Sequence, residues 1–265
     1  MEEKKEARNR LEKRNLLCRV PAVLRARDFR LYTEGGGRLV DLWQFGGGAV
    51  LGHTPSGVLR EVKNTAERGL FGAFPHCMER RLAKALSLIF PSGAFRVYAD
   101  ETGFQRAAEG CPMQVWRPFT REGDAFYVPA DTPVLQAVLP WVLSPKTAVC
   151  YGQTEEDFPP SDYLSPVILA GTVRSVYDLI AAAPNRGKAD FPKILNALAN
   201  SDWRRAGIYL SYKEPLDEKA YAEMFERFLD SGFLLPPDRN LPAILPGILS
   251  QGEEAELARL LRSQT

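Results

Sequence analysis

Histidine and cysteine are scarce in this chain of 265 residues, which contains two histidines and four cysteines. The cysteines, Cys18, Cys77, Cys111 and Cys150, are far apart, and neither a C-x-x-C pair nor a Cys/His cluster occurs. Because structural zinc sites need such clusters, the sequence argues against a metal site. Isolated cysteines are also typical of a reducing compartment, so we expect free thiols in a cytoplasmic protein.

The sequence also lacks an excess of charge of either sign, since 34 Lys and Arg balance 33 Asp and Glu. This balance gives no electrostatic reason to expect nucleic acid or an anionic membrane as a partner. No uninterrupted apolar run approaches the roughly 18–20 residues that a membrane helix needs. The charged start MEEKKEARNRLEKRN has no apolar core of the kind found in signal peptides, which again predicts a cytoplasmic protein.

Glycine, by contrast, is concentrated in two short runs. The first lies in LYTEGGGRLVDL, where two strand-like segments flank Glu34–Gly37 and predict a hairpin, with Gly35 to Gly37 supplying positive φ angles. The second, Gly46 to Gly48, opens the stretch WQFGGGAVLGHTPSG. Such a run is consistent either with a loop that cradles a phosphate group or with a turn that packs closely.

Helical and strand-like patterns alternate along the rest of the chain. Helices are predicted for residues 2–15 and for SGVLREVKNTAERGL, with Ser56 as the N-cap and Gly69 at the end. In CMERRLAKALSLIFP, Leu82, Ala85, Leu86 and Ile89 form an apolar stripe. Short strands are predicted for AFRVYA, MQVWRPF, AFYVPA and AGIYLSY, and further helices for ETGFQRAAEG, SPVILAGTVRSVYDLIAAA, DFPKILNALANS, DEKAYAEMFERFLDSG and GEEAELARLLRS. This alternation predicts the α/β class.

The order of motifs between Arg27 and Phe104 resembles the class III, fold-type I aminotransferases, which use pyridoxal phosphate. TEGGGRLVDLWQF is similar to the hairpin near the start of those proteins, and Leu51-Gly52-His53 with Pro55 closely matches their glycine-loop signature. The segment YAEMFERFLDSGFLLPPDRNLPAILPGIL resembles the C-terminal part of the family. The glutamate-1-semialdehyde aminomutase branch is the most similar.

This resemblance implies a pyridoxal-phosphate-dependent transferase-like fold in a shortened form. Residues 1–50 would form an N-terminal segment with the hairpin, residues 51–160 a reduced large domain of the cofactor-binding type, and residues 161–265 a C-terminal α+β small domain. The chain is shorter than the family members, and the missing length falls mostly after Phe104. The family aspartate that pairs with the pyridinium nitrogen has no counterpart between Phe104 and Asp131.

The family binds the cofactor phosphate in a Ser-Gly-Thr-Glu-Ala loop at the start of a helix. At the corresponding place this chain has Asp100, Glu101, Thr102 and Gly103, followed by Phe104, and of the loop only the threonine is retained. Two carboxylates would stand where a dianionic phosphate binds. Like charges at close range repel each other by several kcal/mol at low effective dielectric, to order of magnitude, so phosphate binding in the family manner is disfavoured.

The catalytic lysine of the family forms a Schiff base with the cofactor. In the best local match, PADTPVLQAVLPWVL, Asp131 and Leu135 align and Ala137 falls at the lysine position. Alanine has no amine. Lys146, in LSPKTAV, is the nearest lysine, but it lacks the glycines that follow the family lysine.

These differences predict a pseudoenzyme that has lost aminotransferase and aminomutase chemistry, needs no cofactor, and acts by binding. The resemblance implies a homodimer, or a role as a subunit beside another protein, with Gly46, Gly47, Gly48 and His53 in a loop at the interface or ligand site. His53 would be a base or ligand contact, or a loop residue that shapes the turn. The alternatives are an active enzyme acting on a small amino or keto acid, with pyridoxal phosphate bound through Lys146 or non-covalently, and a cofactor-free binder of a small molecule.

Overall fold

The computed structural model describes residues 10–12, 14–109, 113–129, 132–152, 158–186 and 191–262. The chain forms two compact units. The first consists of Met1–Gly46 and Lys188–Thr265, and the second of Gly47–Gly187. The hairpin segment predicted for residues 1–50 thus shares a compact unit with much of the segment predicted as the small domain.

The described β-strands are β1 (Val23–Arg27), β2 (Arg30–Thr33), β3 (Arg38–Asp41), β4 (Ala94–Tyr98), β5 (Met113–Trp116), β6 (Val134–Ala137), β7 (Lys146–Cys150), β8 (Trp203–Ala206), β9 (Tyr209–Tyr212), β10 (Phe233–Leu234) and β11 (Ala243–Ile244). The described α-helices are α1 (Ser56–Ala66), α2 (Met78–Ser87), α3 (Glu101–Ala107), α4 (Pro166–Arg186), α5 (Pro192–Leu198), α6 (Glu218–Asp230) and α7 (Gln251–Arg262). Residues 10–12 and 14–17 are also helical, and the rest of the helix predicted for 2–15 lies outside the described residues.

The first unit contains two sheets. One has the strand order β1-β2-β3-β10, with β10 parallel to β3, and the other has the order β11-β9-β8. The predicted hairpin is present as β2 and β3, and Gly35 and Gly36 have φ angles of 87° and 83°. The prediction of a positive φ is wrong for Gly37, where the constraint is space instead. A Cβ atom at this position would lie 2.7 Å from the Thr33 hydroxyl.

The second unit contains one sheet of order β4-β7-β6-β5. β4 and β6 both run antiparallel to β7, and β5 runs parallel to β6. Helices α1 and α2 pack on α4, while α3 packs on β4 and β7. The predicted stripe of α2 is confirmed, because all four of its members are buried: Leu82, Ala85, Leu86 and Ile89.

Helix α4 is long and apolar enough, by length and composition alone, to cross a membrane. Half of its most apolar stretch is buried within the protein, however. Leu169, Val176 and Leu179 are fully buried in the second unit, where α4 packs on α1 and α2. These contacts explain the apolar composition of α4 as that of a core helix.

Two local predictions are wrong. Ser56 does not cap α1, because Pro55 occupies the N-cap position and Ser56 is the first helical residue. The described residues of the segment AFYVPA, 125–129, do not form a strand. A hydrogen bond from the Phe119 N–H to the Ala125 carbonyl (2.8 Å) closes a loop that ends at the first residue of this segment, and Gly123 within the loop has a φ angle of 78°.

Candidate functional site

The residues that the resemblance marked as the cofactor region lie at one end of the β4-β7-β6-β5 sheet of the second unit. At this end β4 finishes at Tyr98, which pairs with Lys146, the first residue of β7. β6 finishes at Ala137, which pairs with Thr147 of β7. The phosphate-loop counterpart, starting at Asp100, follows β4 directly. The topology therefore brings together Tyr98 and Lys146, which are 48 residues apart in sequence.

Asp100 is the N-cap of α3. Its backbone is extended, with φ −141° and ψ 174°, and its Oδ1 accepts a hydrogen bond from the Gly103 N–H at 2.7 Å. A helix N-terminus leaves its first N–H groups without partners, and an aspartate at the N-cap is a favoured way to satisfy one of them. The donor that could face a phosphate thus bonds to a carboxylate of the chain itself.

Asp162 acts similarly at the end of β4. Its Oδ2 accepts a hydrogen bond from the Ala99 N–H at 2.9 Å, and it lies 3.8 Å from the place that a Gly103 Cβ would take. The carboxylates of Asp100 and Asp162 therefore converge on the junction between β4 and α3. Negative charge already occupies this junction, and a phosphate dianion would have to compete with it.

The segment that carries Asp162 runs along the free edge of β4. The Val97 N–H donates to the Ser161 hydroxyl at 3.0 Å, and the Asp162 N–H donates to the Val97 carbonyl at 2.9 Å. The Tyr98 hydroxyl donates to the Pro159 carbonyl at 2.8 Å, and burial raises the pKa of this phenol. These bonds cover an edge that would otherwise expose unpaired backbone groups, and they fix the position of Asp162.

Lys146 forms an ion pair with Glu101. Its Nζ lies 2.5 Å from Glu101 Oε2, and both side chains are about four-tenths exposed, at 41% and 43%. The only lysine proposed for Schiff-base formation is thus engaged by a carboxylate from the phosphate-loop counterpart. Schiff-base formation at this amine would require its ion pair with Glu101 to break.

Ala137 is 5% exposed and lies in the sheet between Trp116 of β5 and Thr147 of β7. It offers only a methyl group at the expected lysine position. Thr102 lies in the first turn of α3 with an exposed side chain. Asp131, which supported the alignment at Ala137, lies outside the described residues.

The second glycine run is a packed turn. Gly46, Gly47 and Gly48 are all buried, and the first two have φ angles of 67° and 122°. Gln44 and Phe45 just before them also have positive φ, at 43° and 50°. Residues other than glycine rarely adopt positive φ because their Cβ clashes with the backbone, so this stretch of backbone is constrained.

Two residues that the sequence patterns did not single out hold this turn. Asp41 Oδ1 accepts hydrogen bonds from the N–H groups of Trp43 and Gln44, at 2.8 and 3.0 Å. The Gln44 amide donates to the carbonyls of Asp41 and Ile244, at 3.2 and 3.0 Å. An aspartate at the end of a strand, a few residues before a glycine run, is the available sequence signal for such a turn. His53, further along, is half-buried.

The remaining histidine has a local structural role. His76 Nδ1 accepts a hydrogen bond from the Met78 N–H at 3.3 Å at the start of α2, and Cys77 Sγ lies 3.8 Å from the same nitrogen. Within the described ranges, no group of three or more His, Cys, Asp or Glu side chains is arranged to hold a metal ion.

Known proteins resemble this chain in sequence and in structure. No known protein family matches the sequence. An uncharacterized protein of Treponema pallidum (strain Nichols) is 27% identical, over 87% of this chain and 91% of that protein. An uncharacterized protein of Borreliella burgdorferi is 26% identical, over 90% of this chain and 89% of that protein.

Among solved structures, ornithine δ-aminotransferase of Plasmodium falciparum matches with a TM-score of 0.69 at 12% identity, over 96% of this chain and 97% of that one. Acetylornithine aminotransferase of Elizabethkingia anophelis matches with a TM-score of 0.63 at 9% identity, over 92% and 93%. Ornithine aminotransferase of Toxoplasma gondii matches with a TM-score of 0.64 at 12% identity, over 92% and 89%, and is described with pyridoxal phosphate at partial occupancy in its active site. The chain therefore has the mixed α/β fold of the pyridoxal-phosphate-dependent aminotransferases of fold type I.

Proposed function

We propose that this protein is a non-catalytic member of the aminotransferase fold that acts through binding, as a subunit of a homodimer or of a hetero-assembly. The observation that carries the proposal is the set of carboxylates at the end of β4. Asp100 and Asp162 accept hydrogen bonds from the Gly103 and Ala99 N–H groups, and Glu101 pairs with Lys146.

Pyridoxal phosphate bound in the family manner does not fit these residues. Two unit charges about 4 Å apart interact by roughly 4 kcal/mol at an effective dielectric of 20, and this site presents three carboxylates against one ammonium group. The favourable contribution of a helix N-terminus is at most about 2 kcal/mol. Repulsion therefore outweighs the attraction that the junction could offer to a phosphate dianion.

The test is a titration of the purified protein with pyridoxal phosphate, followed by absorbance spectroscopy, borohydride reduction and mass spectrometry of the intact chain. We expect no absorbance band that depends on Lys146, and no reducible adduct at that residue. Lys146→Ala and Lys63→Ala are the matched variants. Both lysines are surface residues with a glutamate partner, Glu101 at 2.5 Å and Glu67 at 3.9 Å.

A reducible adduct that disappears in Lys146→Ala and persists in Lys63→Ala would refute the non-catalytic proposal. It would favour the alternative, an active enzyme on a small amino or keto acid. The presence of Lys146 at the same end of the sheet as the phosphate-loop counterpart is the observation behind this alternative. Equal labelling of both variants is the expected nonspecific reaction of surface amines.

For the subunit role we propose the loop between α1 and α2 as part of the interface. Phe71 and Phe74 in this loop are 64% and 54% exposed, and large aromatic side chains on the surface are typical of contact sites. We expect sedimentation velocity to give a dimer for the wild-type chain, and a shift toward monomer in the double variant Phe71→Ser, Phe74→Ser. The exposed Ile248, in the other unit, provides the control Ile248→Ser, which should leave the dimer intact. A wild-type protein that remains monomeric at high concentration would refute the homodimer.

The finer parts of the sequence-based assignment remain proposals. They are the glutamate-1-semialdehyde aminomutase-like branch, the reduced large domain over residues 51–160, the small domain over 161–265, the cytoplasmic location, and the lack of nucleic-acid and membrane partners. The same holds for a ligand or interface role of Gly46 to Gly48 and His53.

A further inference from the structure

A cavity of about 400 Å³ lies among α1, α2 and α4 in the second unit. Its lining contains three cationic side chains, Arg81 and Lys84 of α2 and Arg174 of α4, and one acidic side chain, Glu61 of α1. This volume is within the range of small-molecule pockets. The protein is close to neutral overall, so the excess of positive charge here is local.

The lining combines these charges with apolar surface. Met78, Ala170 and Val173 are buried at the cavity wall, and Tyr177 is at its exposed side. Ligand pockets usually have this composition, in which apolar walls provide most of the contact area and a few charged groups fix the orientation. A ligand that matches both features carries an anionic group on a short apolar body.

Arg174 is held in place by an ion pair and by packing against α1. Its Nη2 lies 2.7 Å from Asp178 Oδ1, one turn further along α4. This ion pair packs against Gly57 of α1, where an added Cβ would lie 2.5 Å from Arg174 Nε and 2.8 Å from Asp178 Oδ2. Glycine is less favourable than alanine in a helix, and here it leaves room for the guanidinium group.

The Arg174 Nε atom is buried and has no hydrogen-bond partner in the described part of the chain. Buried donors without partners are uncommon in folded proteins, and each calls for an explanation. Here Nε is packed against Gly57 of α1, so a bound anion would contact the terminal nitrogens of the guanidinium. Asp178 neutralises part of the charge of Arg174, so the surplus positive charge comes from its two neighbours.

Arg81 and Lys84 supply that surplus. Neither forms an ion pair with any described residue, and the contact that Arg81 makes is a 4.0 Å approach of its Nη1 to Met78 Sδ. Residues three apart on a helix lie on the same face, which directs both side chains toward the same opening. Two cations without acidic partners beside a positioned guanidinium group form an arrangement suited to a carboxylate or a phosphate.

We propose that this cavity binds a small amphipathic anion, a carboxylate or phosphate monoester on a short apolar body. This site is separate from the end of the sheet described above, and its occupancy does not depend on the fate of the cofactor region. Arg174 would make the oriented contact to the anion, Arg81 and Lys84 would add electrostatic attraction, and Met78 with Val173 would contact the apolar body.

The experiment is isothermal titration calorimetry of the full-length protein with octanoate and with octyl phosphate, and with octylamine as the probe of opposite charge. We expect saturable binding of at least one of the two anions and none of octylamine. The comparison of the two anions identifies the preferred headgroup. Equal binding of octylamine, or no binding of either anion, would overturn the proposal.

Variants locate the binding site. Loss of a charged hydrogen bond costs about 1.5–3 kcal/mol, so Arg174→Gln should lower the affinity for the anion by about tenfold or more. Lys84→Gln changes an exposed residue, so it should not affect folding, and it should lower the affinity for the anion by a smaller factor. Lys63→Gln is the control, because Lys63 is an exposed residue of α1 outside the cavity lining. Unchanged affinity in both Arg174→Gln and Lys84→Gln, or an equal loss in Lys63→Gln, would refute the site.

Discussion

Replacing Glu253 by Gln is expected to lower the free energy of unfolding of the first unit by about 3 kcal/mol at neutral pH. Glu253, in the first turn of α7, receives two hydrogen bonds from the Arg30 guanidinium, at 2.9 and 2.6 Å. The side chains are only 9% and 15% exposed, so water screens the pair weakly. The variant would leave the buried guanidinium without a charged partner.

The same ion pair predicts a pH dependence. Hydrogen bonds from Arg30 and from Ser250 lower the pKa of Glu253 from 4.5 to about 2. Because the folded state binds this proton less readily than the unfolded state, the stabilisation is fully present above about pH 5. It is lost as the pH falls from about 5 toward 2. The wild-type protein should therefore lose more stability over this range than Glu253→Gln.

Urea unfolding followed by circular dichroism at several pH values measures both effects. Glu256→Gln on the same helix is the matched control. The hydrogen bond from Arg259 also lowers the pKa of Glu256, but both side chains are largely exposed, at 38% and 61%. Exposed ion pairs contribute little to stability, so this variant should unfold like the wild type. If the two variants have the same unfolding curves, the buried pair does not have the role assigned to it.

Local patterns predict much of the fold because they reflect burial on a single element. The stripe of α2 and the hairpin of β2 and β3 follow from side-chain periodicity and turn chemistry within a dozen residues. Side-chain periodicity and turn chemistry do not predict the strands β7 and β8. β7, with the sequence KTAVC, is buried over four of its five residues and shows no alternation, and β8, with the sequence WRRA, is short and rich in arginine.

The candidate site was only half predictable for the same reason. Asp100 is recognisable as a residue that precedes a helix, and the family resemblance marks its place. Its partner in the site, Asp162, lies 62 residues further along in a proline-rich segment with no periodic pattern. The Lys146–Glu101 pair likewise spans 45 residues and depends on the pairing of β4 with β7. Tertiary pairing, which local sequence does not encode visibly, assembled these contacts.

Replacing Gly171 by Ala is expected to lower the free energy of unfolding of the second unit by about 1–3 kcal/mol. A Cβ at this position in α4 would lie 2.4 Å from Trp141 Cζ3 and 2.5 Å from its Cη2. This overlap outweighs the roughly 1 kcal/mol by which alanine favours a helix over glycine. The control is Gly252→Ala in α7, where an added Cβ meets nothing within 4 Å. The free energy of unfolding of this variant should stay the same or rise.

The contact between Gly171 and Trp141 bears on the candidate site, because Trp141 lies in the connection from Ala137 of β6 to Lys146 of β7. Within this connection the Ser144 N–H donates to the Trp141 carbonyl at 2.9 Å, which closes a tight turn. The Trp141 ring packs against Gly171 of α4 and so holds this turn on the helix. A double-mutant cycle with Trp141→Leu, measured by urea unfolding, isolates the overlap. Since leucine removes the ring that the new methyl group meets, Gly171→Ala should cost much less in the Trp141→Leu background. An equal cost in both backgrounds would mean that Trp141 does not set the requirement for glycine, and that the turn leading to Lys146 is held by other contacts.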